Sequence, residues 1–78
     1  MNIYKIERTD EGDYDEYEGA VVVAESSQDA RKIHPDPDGK PDGSTAAWVT
    51  PDLIEVQYIG KAGYKMKRGV VLADFRRG

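Results

Sequence analysis

The chain has 78 residues, 38% of them hydrophobic, with one Trp, one Phe, no Cys and a formal net charge of −4. That length supports one thin core in a single domain over residues 1–78, and the lack of Cys excludes a disulfide framework, a thiolate zinc site and a cysteine nucleophile. No apolar run approaches the ~20 residues of a membrane-spanning helix and no basic-then-apolar leader is visible, so a soluble cytoplasmic protein is expected, with no membrane partner.

The charge is unevenly spread. Residues 1–60 hold 14 acidic and 5 basic side chains, whereas residues 61–78 hold 1 and 6. The chain is therefore a dipole in sequence, and the fold decides whether it is one in space.

In chain order, Asn2 to Arg8 alternates in strand fashion, with Tyr4, Ile6 and Arg8 on one face and Ile3, Lys5 and Glu7 on the other. Residues 9–19 follow as an exposed acidic hairpin loop containing Asp10-Glu11-Gly12-Asp13-Tyr14-Asp15-Glu16-Tyr17-Glu18. Six carboxylates in nine residues cannot be desolvated unpaired, so this stretch must face water or a basic partner. Gly19 to Glu25 is a β-branched apolar run and the second strand of the hairpin. Ser26-Ser27-Gln28-Asp29 fits a helix-capping box, and a helix of about two turns runs through Ala30 and Ile33 until Pro35 stops it. Residues 35–47 form a loop rich in Pro, Gly and Asp, which carries Asp36, Asp38 and Asp42. Trp48-Val49 is a short apolar patch that closes one edge of the core, and Thr50-Pro51 starts a turn. Leu53 to Gly60 and Val70 to Phe75 alternate as strands, joined by a basic connection holding Lys61, Lys65, Lys67 and Arg68.

The order β-β-α-(β)-β-β predicts an α+β fold: an antiparallel sheet of four to five strands with one short helix packed on one face. The expected core is Tyr4, Ile6, Val21, Val23, Ala30, Ile33, Val56, Tyr58, Val71 and Phe75.

No catalytic residue, cofactor or metal site is assigned. Asp13-x-Asp15 and Asp36-x-Asp38 open like calcium loops, but the fifth and sixth positions are Tyr17 and Glu18 in one and Lys40 and Pro41 in the other, where the pattern needs Asp or Asn and then Gly. His34, the lone histidine, stands where it caps a helix C-terminus. The candidate binding surface is Asp10, Glu11, Asp13, Tyr14, Asp15, Glu16, Tyr17 and Glu18, extended by Asp36, Asp38 and Asp42. Its carboxylates have the charge to enter a groove built for a nucleic-acid backbone, with the tyrosines as rigid anchors; against this stands a solvated loop that only keeps the protein soluble. Direct nucleic-acid binding through Tyr64 and its neighbouring lysines is set aside, because the acidic field repels nucleic acid unless it lies on the far side. Oligomeric state stays open.

The segments Y-K-I-E-R (4–8), D-Y-D-E-Y (13–17), V-V-A-E-S (22–26), A-R-K-I-H-P (30–35), Y-I-G-K-A (58–62) and G-V-V-L-A-D-F (69–75) resemble small proteins carried by bacteriophages and prophages. Such proteins include anti-CRISPR inhibitors, several of which look like nucleic-acid mimics. The resemblance implies a phage-type inhibitor that blocks a host CRISPR complex in the bacterial cytoplasm, with a basic nucleic-acid-binding groove as partner. The alternative is a non-enzymatic phage accessory protein acting through ordinary protein contacts. No site residue is carried over from the resemblance.

Overall fold

A computed structural model describes residues 1–10, 16–35, 48, 49 and 51–76. They form one antiparallel sheet of four strands, β1 (Asn2–Arg8), β2 (Glu16–Ala24), β3 (Ile54–Lys61) and β4 (Gly69–Arg76), in the order β3-β1-β2-β4, with a short helix α1 (Ser27–Arg31) and a 3-10 turn over Pro51–Leu53. The α+β architecture is the one the residue pattern predicts. Trp48 and Val49 supply core side chains without forming a strand.

One sheet face carries the main core. Tyr4 and Ile6 of β1, Ala20, Val22 and Ala24 of β2 and Ile54 of β3 pack with Ala30 and Ile33 of the helical segment and with Trp48 and Val49; Tyr17, Val56, Val70 and Ala73 lie against this cluster. Four expected core positions, Val21, Val23, Tyr58 and Val71, sit elsewhere. Val21 and Val23 alternate with Ala20, Val22 and Ala24 and so point to the opposite face, where Val23 is nevertheless fully buried. Tyr58, at 56% exposure, meets only the edge of the Tyr4 ring.

Three register shifts explain much of this. They fall opposite Ile3/Tyr4, where Ile59 is the extra residue of β3; between Tyr17 and Gly19, where Glu18 is extra; and opposite Val21/Val22, where Val71 is extra. An extra residue reverses which side chains face inward beyond it. Val71 is thereby left exposed while Val70 turns to the core, and Tyr17 rather than Glu18 turns inward. The second strand accordingly starts at Glu16, three residues earlier than the glycine that marks it in the sequence, and the end of the acidic run is strand paired with β4. The side chain of Phe75 lies outside the described residues.

The helix begins as the capping pattern predicts. Ser26 Oγ accepts from the Asp29 backbone N–H at 3.1 Å, and the Asp29 carboxylate accepts from the Glu25 backbone N–H at 3.2 Å. At the other end, Arg31 donates to the Pro51 and Ile54 carbonyls and ties the helix to the start of β3. The Asp29 carboxylate also accepts a bidentate guanidinium from Arg68, with contacts of 2.8 to 3.0 Å, and so moors the β3–β4 connection to the helix.

The Arg68 guanidinium, aided by the Glu25 N–H and opposed by burial, holds the Asp29 carboxyl below its ordinary value of 3.8. A carboxyl lowered in the folded state stabilises the fold above the unfolded value, and that contribution is lost as pH falls through the folded one. We therefore expect the protein to exceed Asp29→Asn in stability at neutral pH, and the gap to narrow in acid, as pH falls below 3.8. Urea midpoints of the two proteins at neutral pH and in acid check this; a gap that persists in acid means the Arg68 pair is not its source.

Candidate functional site

The sheet face opposite the helix is built from the odd positions of β1. Ile3, Lys5 and Glu7 stand across from Val23, Val21 and Gly19 of β2 and from Gly60, Gln57 and Glu55 of β3, while Gly69, Leu72 and Asp74 of β4 continue the rows. Its apolar residues gather toward one end, where β3 and β4 are joined. At the other end the row reads Glu55, Glu7, Gly19, Asp74, with Glu18 bulged out beside Gly19.

Each strand thus supplies one carboxylate to a single line. Strands spaced ~4.8 Å apart place Glu55, Glu7, Glu18 and Asp74 within about 14 Å, a linear charge density of the same order as the one charge per ~3.4 Å of axis on a DNA strand. Lys5 brings a cation to this face, 2.5 Å from Glu7, and its ammonium is held above the usual value by that partner. Both side chains are about half exposed, so the pair leaves much of the negative field in place. Beneath the row lies a shallow concavity of about 310 Å³, lined by Lys5, Glu7, Gly19, Val21, Leu72 and Asp74 among others.

Glu7 and Glu55 are direct cross-strand neighbours. Like charges placed so are destabilising. Sequence reasoning missed Glu7, Glu55 and Asp74 as site residues because each is an ordinary polar-face position of its own strand. Alternation along each strand signalled their direction, but only the register brings them into line.

The candidate residues of the acidic run divide three ways. Asp10 is already paired: Arg8, whose side chain is only 7% exposed, donates Nε and Nη2 to its carboxylate at 2.6 and 3.1 Å and Nη1 to the Tyr17 carbonyl at 3.2 Å. That guanidinium holds the Asp10 carboxyl below the ordinary range. Tyr17 is half-buried against the core, its ring edge-to-face with His34 at 6.1 Å, and Glu18 is exposed at its bulge. Glu16 opens β2 opposite Arg76 in the backbone register. Glu11, Asp13, Tyr14, Asp15, Asp36, Asp38 and Asp42 lie outside the described residues.

Lys61, Lys65, Lys67 and Arg68 sit at the end of the sheet where β3 leaves and β4 enters, opposite the carboxylate row, whereas Arg8 and the backbone of Arg76 stand at the acidic end and Asp29 reaches the basic one, so the sequence dipole is kept only in part among the described residues. In the same set, no group of three or more His, Cys, Asp or Glu is placed to hold a metal ion, and no helix is long and apolar enough to cross a membrane. What this arrangement offers chemically is a rigid, patterned negative surface. Compared with protein-family models, with curated proteins and with solved structures, the chain matches none.

Proposed function

We propose that the protein is a non-enzymatic, phage-type inhibitor whose acidic surface occupies the basic nucleic-acid-binding groove of a host complex in the bacterial cytoplasm and so blocks target DNA or RNA. The single observation that supports this reading is the line of carboxylates, one from each strand, running up to the acidic β1–β2 connection. A repulsive Glu7–Glu55 neighbourhood is a stability cost, and a binding surface gives it a reason. That the host complex is a CRISPR effector rests on the resemblance to phage inhibitors.

Capture of a CRISPR complex from lysate by the tagged protein, washed at low and high salt with and without competing DNA, tests the reading. Retention at low salt that is lost in high salt and to DNA is the expected result. A variant with Asp13, Asp15 and Glu16 changed to Ser that binds as well as the parent sinks it. Glu55→Lys separates function from solubility: it removes a like-charge neighbour and should raise stability by about 0.5 kcal/mol. Combined with Asp74→Lys, it should weaken capture by about 100-fold, since like charges forced together at an interface cost several kcal/mol. Thermal unfolding and capture measured on the same variants read both effects.

One observation favours a second reading, an accessory protein that works through ordinary apolar contacts. Val71 and Leu72 on the edge strand β4 are 54% and 68% exposed. Binding of that kind resists salt and is lost in Leu72→Asp.

A further inference from the structure

The β3–β4 connection carries features that the acidic face does not use. Tyr64 is 92% exposed, the highest value among the large apolar side chains of the described residues. It does not dangle. The Met66 N–H donates to the Gly63 carbonyl at 2.9 Å and closes a turn with Tyr64 and Lys65 at its tip, while the Gly63 N–H points at Met66 Sδ at 3.3 Å. The connection is fixed on both sides, by the Ala62 N–H to the Met1 carbonyl at 3.0 Å and by the Arg68–Asp29 pair at 2.8 Å. Gly69, which follows, has φ +142°, a conformation that side chains rarely adopt, so the chain leaves the turn along a path only glycine takes readily.

Among the described residues the turn's own charges are all positive. The Lys65 ammonium lies 5.7 Å from the Tyr64 ring centroid, and Lys61 and Lys67 flank the turn. The sequence has no acidic residue between Glu55 and Asp74. Among the described residues Asp29 and Glu25 are the acids that act on Arg68, and Lys61, Lys65 and Lys67 are exposed. At ~3.3 Å per residue the carboxylate row is roughly 13 to 17 Å away along the strands, beyond the ~8 Å Debye length of physiological salt. The objection that acidic repulsion forbids an anionic ligand therefore does not hold at this end of the sheet.

We infer that the Gly63–Met66 turn is a single-stranded nucleic-acid contact, in which one base stacks on Tyr64 and Lys61, Lys65 and Lys67 meet the adjoining phosphates. An exposed aromatic on a hydrogen-bonded turn among cations is what sequence-tolerant single-strand binding uses, because every base has a π-face. The site is independent of the proposed acidic interface and lies at the opposite end of the sheet.

Fluorescence anisotropy with a labelled oligothymidylate of about 12 nucleotides tests it. Binding should be saturable at low salt, and with three lysines engaged the logarithm of affinity should fall against the logarithm of salt with a slope of about −2. Tyr64→Ala, at an exposed position that leaves the fold alone, should weaken binding about 5- to 150-fold, while Tyr64→Phe keeps the stacking face and the affinity. Changing Lys61, Lys65 and Lys67 together to Ala should flatten the salt slope. Absence of binding, equal binding by Tyr64→Ala, or equal affinity for a duplex of the same length or for polyglutamate would each overturn the inference.

Discussion

Ile6→Ala should cost about 3 to 4 kcal/mol of folding stability. Ile6 is fully buried on the helix-covered face, on one of the two strands with neighbours on both sides, so truncation leaves a cavity that neither β2 nor β3 can close. The loss is large against the ~4 to 12 kcal/mol expected for a chain of 78 residues. Ile3, half-buried on the opposite face, is the internal control, and its truncation should cost about 1 kcal/mol. Urea unfolding of both variants decides the matter; equal losses would mean that the two faces of β1 are equally buried.

Gly19→Val should be nearly as damaging, by about 3 kcal/mol, and for the opposite reason. A Cβ at this position would lie 2.7 Å from the Ile6 carbonyl oxygen and 3.3 Å from Glu7 Cγ. The first of these is backbone in the central strand, which cannot move aside without breaking the pairing of β1 with β2. Gly60 makes the contrast, since a Cβ there meets nothing within 4 Å, and Gly60→Val should change the melting temperature little. A well-folded Gly19→Val protein with an unchanged melting temperature would contradict the tight β1–β2 approach. Because Gly19 separates Glu7 from Asp74, the same substitution should also disturb the carboxylate row.

The sequence made some of this legible. Ser26 and Asp29 announced the helix start because their hydrogen bonds are local, and Pro51 announced its turn because its φ is fixed. The strands were legible as strands, for alternation needs only a few consecutive residues. Which face of each strand was buried was not. Gly19-Ala20-Val21-Val22-Val23-Ala24 is apolar at both parities, so its pattern fits either face, and the structure puts Ala20, Val22 and Ala24 in the main core. Val71 lost its expected place because it is itself the extra residue of the ladder, a feature set by pairing with the neighbouring strand.

The site was legible in kind more than in composition. Carboxylate density marked Asp10 to Glu18, yet Asp10 is engaged by Arg8 and Tyr17 supports the core. The line of Glu55, Glu7 and Asp74 depends on pairings between residues far apart in the chain, Glu7 with Glu55 and Gly19 with Asp74, and no local pattern encodes these. Charge separation along the chain was plain, but its partial survival in space follows from the antiparallel pairing, which sets the β3–β4 connection at the end of the sheet away from the carboxylate row.

The strand order also bears on how the protein is made. Among the described strands β1 and β2 come before β3 and β4 in the chain and form the central pair, which the later two join from outside. A nascent chain that has passed Arg31 therefore holds a hairpin with both of its edges unsatisfied, at a synthesis rate of about 5 to 20 residues per second. Such edges are templates for aggregation. Ribosome stalling between α1 and β3 would expose that intermediate for longest, so the yield of folded protein should depend more on translation speed there than in any other part of the message.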